Sequence, residues 1–253
     1  VIARTASTLA PLLLVVATAA HSVDITTCFQ TVPTGEVGVL QADLDCGDGS
    51  GGPNVTVERG ARLLLNGHTI SAGVYGIATG EAPGAVKIEG PGEIAGVANG
   101  GDQGCGIVTF TKAIVRDVVV RNSRCGIFRP NNYPIRIKDL TLQDNELDGI
   151  LSNAEEPGNG RIIADRLIAD GNGGIAIRVP GKLVLRDSTI TGNGVGGIRH
   201  TGARHAVIRD TTLTGNGFAG DVAALVAPRF LNSTCDASQD IDDDGTLGIC
   251  SGD

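Results

Sequence analysis

Apolar and polar residues alternate along most of this chain. In IRIKDLTL (135–142) and KLVLRDSTI (182–190), Ile, Leu and Val fall on one side and charge on the other. Such runs read as short strands, and clusters of Gly, Asn and Asp between them read as turns. No unit shows the 3.6-residue spacing of an amphipathic helix.

The strands recur. Units begin at Asp117, Asp139, Asp165, Asp187 and Asp210, which are 22, 26, 22 and 23 residues apart. Each unit carries a hydrophobic stretch, an Asn and a glycine: Gly126, Gly149, Gly174, Gly197 and Gly220. Ile follows the glycine in the first four, and Gly76-Ile77 and Gly106-Ile107 extend the series upstream. The Asp-to-Gly interval stays at 9 or 10 residues, so insertions fall between one unit's glycine and the next unit's Asp. A period of this length built from short strands predicts a solenoid. Val, Ile and Thr stand where a leucine-rich repeat needs Leu. The expectation is therefore an all-β, right-handed parallel β-helix of about seven coils over residues 55–227. Residues 21–54 and 228–253 are expected to cap it.

Coils stacked at ~4.8 Å place equivalent residues above one another. Asn122, Asn145, Asn172, Asn193 and Asn216 are expected to form an internal ladder of side-chain amides. Six cysteines allow 15 pairings in principle. Cys105 and Cys125 each precede a Gly-Ile pair, so stacking pairs them at a distance a disulfide accepts. Cys28 with Cys46 and Cys235 with Cys250 then close the two ends. The chain has no C-x-x-C pair, which argues against zinc and thioredoxin chemistry.

The segment LDCGDGSGGPNVTVERGARLLLNGHTISAG (44–73) and the D-x-x-I-x-x-N-x-x-x-G-I units resemble the secreted right-handed parallel β-helix repeat proteins of the pectin-lyase-like superfamily. The resemblance spans roughly residues 44–227. It implies the fold. It does not choose among lyases, hydrolases, epimerases, accessory proteins and surface proteins, because one fold hosts many sites.

Composition narrows the class. Of 253 residues 41% are hydrophobic but only 3% aromatic, and 38 are Gly. That is too apolar for a disordered chain. Twenty basic against 28 acidic residues leave a net charge of −8, which disfavours a nucleic-acid binder. Residues 1–20 combine Arg4, an apolar run and Ala17-Thr18-Ala19, the pattern of a cleaved secretory leader. No other run is long enough to span a bilayer. The expected product is exported, secreted or held in the periplasm or at the cell surface, and monomeric.

Candidate chemistry is sparse. Residues 112–138 hold Lys112, Arg116, Arg121, Arg124, Arg129, Arg136 and Lys138 against Asp117 alone. A uronate lyase needs cations at the carboxylate and a base for C5–H, which makes Arg121, Arg129, Arg136 and Lys138 the catalytic candidates. Arg116, Lys138, Arg186 and Arg209 each precede a repeat Asp, with Ala164 in the remaining unit. Stacked, they predict an outward basic stripe able to track a polyanionic glycan. Arg136-Ile137-Lys138 matches the R-I-K triplet of polygalacturonases, whose other motifs are missing.

His200 and His205 read as exposed turn residues. Asp240, Asp242, Asp244 and Thr246 fit the start of a D-x-D-x-D-G calcium loop, without the usual Glu at position 12. Ca2+ there is expected to stiffen the cap. Asn54 and Asn232 head glycosylation sequons. The longest insertion, 151–161, carries Glu155 and Glu156 and would form a lip over any groove. The leading expectation is engagement of polysaccharide along the outer face. The alternatives are a non-catalytic structural or adhesive surface protein and, more weakly, a uronate lyase.

Overall fold

The computed structural model describes residues 21–47, 52–97, 104–131, 133–153, 160–204, 206–241 and 245–252. The leader read over residues 1–20 lies outside them, as do Glu155, Glu156, His205, Asp242 and Asp244. The described residues form 26 strands and no helix. No helix among them is long and apolar enough to cross a membrane.

Every strand pair is parallel, and each turn of the chain crosses three faces. The first face holds Ala85–Glu89, the first halves of Lys112–Arg121, Ile135–Gln143 and Arg161–Asp170, then Lys182–Arg186 and Val207–Arg209. The second face holds the second halves of the same three long strands, then Thr189–Thr191 and Thr212–Thr214. The third is a separate ten-stranded sheet that includes Cys125–Arg129, Ile175–Val179 and Gly196–His200. The stack makes about eight turns, close to the seven expected. The ends supply the difference: Ser22–Ile25 and Val37–Leu40 pair with each other in the first sheet, and Ser238–Asp240 pairs in the third face. The expected disulfides Cys28–Cys46, Cys105–Cys125 and Cys235–Cys250 are all present.

The repeat Asp marks a corner. Asp117, Asp139, Asp187 and Asp210 adopt φ of 55, 54, 48 and 49°, turning the first face into the second. Asp tolerates this left-handed conformation better than most residues. The third unit departs from the expected alignment. Lys138 stacks on Asp165, and Arg166 takes the corner at φ 54°. Asp165 is thus displaced by one place onto the first face.

The Asn ladder exists, with one change of membership. Asn145 donates from Nδ2 to Asn172 Oδ1 at 2.8 Å, Asn172 to Asn193 at 2.8 Å, and Asn193 to Asn216 at 2.7 Å. Each of these amides also donates to a backbone carbonyl, Val120, Leu142 and Ala169 in turn. Asp221 ends the run by accepting from Asn216 Nδ2 at 2.6 Å. At the other end, Ser123 rather than Asn122 holds the ladder place, its N–H donating to Asn145 Oδ1 at 3.1 Å. Asn122 sits one place earlier, exposed, at φ 51°, where later coils use Asp144, Gly171, Gly192 and Gly215. Asn, Asp and Gly all suit that turn, so the Asn at 122 belongs to a different column.

The Gly-Ile series has a packing origin. A Cβ on Gly106 would lie 2.2 Å from Val120 Cγ1, so the corner accepts no side chain there. In the third unit the stacked pair is Ala176-Ile177, not Gly174-Ile175, and in the fifth it is Asp221-Val222, not Gly220. The facing column changes from Leu142 to Ala169 at the coil where Ala176 replaces glycine. Less bulk on one side accompanies more on the other.

Asn172→Ala removes the side-chain acceptor of Asn145 Nδ2 and one of the two donors to Asn193 Oδ1 within a buried column. It should cost about 3 kcal/mol in denaturant unfolding. Asn122→Gly should shift stability by less than ~0.5 kcal/mol. Equal costs for the two would remove the ladder from this account.

Candidate functional site

The first face carries a concentration of basic side chains. Its outward positions form columns because the strands are in register. The column beside the corner reads Glu89, Arg116, Lys138, Asp165, Arg186 and Arg209. The next column reads Lys87, Ile114, Arg136, Ile163, Val184 and Val207. A third, at the strand starts, includes Lys112, Arg161 and Lys182. Ile114, Arg116, Arg136, Lys138, Arg161 and Ile163 line two adjoining shallow depressions of about 280 and 300 Å3. The surface is a basic sheet with a mostly aliphatic middle row.

Few of these cations are neutralised. Among the described residues, Arg186 approaches Asp165 at 3.8 Å and Arg209 pairs with Asp210 at 3.0 Å. Glu89 is held by Arg62. Lys112, Arg116, Arg136, Lys138, Arg161 and Lys182 make no ion pair with any described residue. Beside the face, Arg166 grips Asp139 through two hydrogen bonds of 2.5 and 2.7 Å. That contact holds the Asp139 carboxyl below its ordinary pKa.

The four residues expected to stack, Arg116, Lys138, Arg186 and Arg209, do share one column. The register shift puts Asp165, not Ala164, in the fifth place, and Ala164 is buried. Lys112, Arg136, Arg161 and Lys182 enlarge the patch. The alternation in RIK (136–138) and KLVLR (182–186) already carried that signal.

The four catalytic candidates do not converge. Only Arg136 and Lys138 lie on this face. Arg121 points out from the second face and pairs with Glu93 at 2.7 Å. Arg129 is inside the solenoid, 0% exposed, donating to Ser152 Oγ at 2.9 Å and to the Tyr133 carbonyl at 3.2 and 2.5 Å. Burial lowers its pKa to about 10, which still leaves it charged at neutral pH. The physical reason is periodicity: residues 112–138 traverse more than one whole turn, so a cluster in sequence is spread around the perimeter.

Other expectations change as well. His200 is an interior residue, with Nε2 2.8 Å from the Gly181 carbonyl oxygen, rather than an exposed turn. Asn54 is fully buried and its Nδ2 donates to the Ala72 carbonyl at 2.6 Å, so the folded chain offers no glycan acceptor there. Asn232 is exposed. In the acidic loop, the Asp240 N–H donates to the Gly245 carbonyl at 2.7 Å and Thr246 is exposed. Two of its four proposed ligands, Asp242 and Asp244, lie outside the described residues. No group of three His, Cys, Asp or Glu suited to a metal occurs among the described residues.

A family model described as "right handed beta helix region" matches residues 99–234, more than half of the chain. Comparison with curated proteins finds no match, and comparison with solved structures finds none.

Arg129→Ala should destabilise the fold by about 3 kcal/mol in chemical unfolding, because Ser152 Oγ and the Tyr133 carbonyl lose a buried charged donor. An unchanged midpoint would contradict the structural role given to this arginine. In Arg166→Ala, the Asp139 carboxyl should titrate closer to its ordinary range, followed by carbon-13 NMR. Its depressed pKa means that the Arg166 contact favours the fold above that range and is lost as pH falls through it.

Proposed function

Because the chain belongs to the right-handed β-helix family, in which stacked coils turn a sequence repeat into a periodic surface, we propose that it binds acidic polysaccharide on the basic face. One observation carries the reading. A chain of net charge −8 gathers Lys112, Arg116, Arg136, Lys138, Arg161 and Lys182 on one face, none of them in a close ion pair with a described carboxylate. Like charge gathered on one face repels itself, so such a surface fits best with an anionic ligand. The partly exposed Ile114 and Ile163 suit the apolar face of a pyranose ring, while the cations on either side suit its carboxylates. The shallow depressions accept a chain lying along the surface rather than a small molecule enclosed by it.

The reading is one of binding. Dispersal of Arg121, Arg129 and the Arg136/Lys138 pair into three environments weighs against the lyase alternative. Three disulfides support an exported, extracellular or periplasmic setting. The alternative of a purely structural or adhesive surface protein draws on the stiffness that a continuous Asn ladder gives the stack.

Electrophoresis through gels containing polygalacturonate tests the proposal. The protein should be retarded at low salt and released as ionic strength rises. Replacing Arg116, Arg136 and Lys138 together by Gln should weaken retention about tenfold or more. Arg121→Gln should leave it unchanged. Retention that survives the triple substitution would overturn the assignment of this face.

A further inference from the structure

The column beside the corner does not carry uniform charge. Read by coil from Arg116, it runs Arg116, Lys138, Asp165, Arg186, Arg209: two cations, one anion, two cations. Glu89, the next place up, is cancelled by Arg62 and its side chain is 13% exposed. Asp165 differs. Its side chain is 35% exposed, and its one ion-pair contact among the described residues is the 3.8 Å approach of Arg186. Arg166, its chain neighbour, gives both its hydrogen bonds to Asp139 on the adjacent coil and keeps only a weaker coulombic attraction to Asp165. The middle coil thus reverses the order seen above and below. Arg116-Asp117, Lys138-Asp139, Arg186-Asp187 and Arg209-Asp210 place the cation on the face and the acid at the corner. Asp165-Arg166 does the opposite.

A polymer lying along this column meets the coils at intervals of ~4.8 Å, close to the advance of one sugar in an extended chain. A homopolyuronate laid along this column brings carboxylates to the Asp165 coil as well as to the cations, and there meets a like charge. A chain whose acidic sugars are interrupted by a neutral or amino sugar satisfies every place. Its hydroxyl or ammonium donates to Asp165 where a second carboxylate would be repelled. Discrimination of this kind comes from the repulsive element as much as from the attractive ones.

We propose that Asp165 is a specificity-determining residue of the basic face, selecting acidic heteropolysaccharides with interrupted charge over homopolyuronates. The proposal rests on the polysaccharide-binding reading above and adds the pattern of charge that the site accepts.

The test compares two probes on the full chain: fully de-esterified polygalacturonate, and the same polymer with about a third of its carboxyls methyl-esterified at random. The unsubstituted protein should bind the partly esterified polymer about threefold tighter, despite that polymer's lower charge. Asp165→Asn should invert the order, binding the de-esterified polymer about tenfold tighter than the unsubstituted protein does and with a steeper dependence on salt. Asp165→Ser serves if the Asn variant melts early, and circular dichroism verifies the fold of both. Glu89→Gln should leave the order unchanged, because Arg62 already cancels that charge. If both Asp165 variants keep the original ratio, Asp165 only relieves repulsion within the stack and the proposal fails. If the unsubstituted protein binds neither polymer, the polysaccharide-binding reading itself fails and takes this inference with it.

Discussion

Parallel stacking in register is the constraint on which the rest of this molecule depends. Once coils lie one strand spacing apart, each place in the repeat becomes a column, and each column must be self-compatible over its length. Apolar columns satisfy this easily. A buried polar column succeeds only if every member both gives and receives, which a primary amide can do and a hydroxyl can do in part. Hence Asn145, Asn172, Asn193 and Asn216 form a chain of amides, begun by Ser123 and ended by the carboxylate of Asp221. The acceptor at the end is chemically apt, because the last amide has a donor left to place.

The same constraint governs the surface. Like charges in one outward column stand one strand spacing apart and repel. The molecule contains this in three ways. Corner carboxylates flank the cations, Asp165 interrupts their run, and Arg166 enters the acidic corner column to bind Asp139. What remains is a basic face whose other cations form no close ion pair with a described carboxylate. A single exchanged pair, Asp165-Arg166, therefore serves the stack and shapes what the face accepts.

Most of the architecture is legible in the sequence because strand alternation, corner Asp and ladder Asn recur at nearly constant spacing. The Cys105–Cys125 disulfide follows from the same columns, and the other two pairs follow as closures of the ends. The failures are local and share one cause. Identity of residue type does not fix register: Asn122 suits a left-handed turn as well as Ser123 suits the ladder, and Gly174-Ile175 imitates the true pair Ala176-Ile177 two places on. Asp165 imitates the corner residue one place early. The basic site was half visible. Arg116, Lys138, Arg186 and Arg209 follow from the repeat, but Arg121 and Arg129 read as catalytic companions of Arg136 and Lys138 because all four fall in one short basic stretch. Only the path around the perimeter separates an outward cation from the interior one at 129, which is held by Tyr133 and Ser152.

The central claim is that ligand lies on the first face. Amide NMR of the labelled protein titrated with a short acidic oligosaccharide tests it most directly. Shifts should concentrate on Lys112–Arg116, Ile135–Lys138, Arg161–Asp165 and Lys182–Arg186, leaving Thr189–Thr191 and Thr212–Thr214 of the second face unmoved. Shifts centred on the second or third face, or none at concentrations that saturate retention in gels, would contradict it.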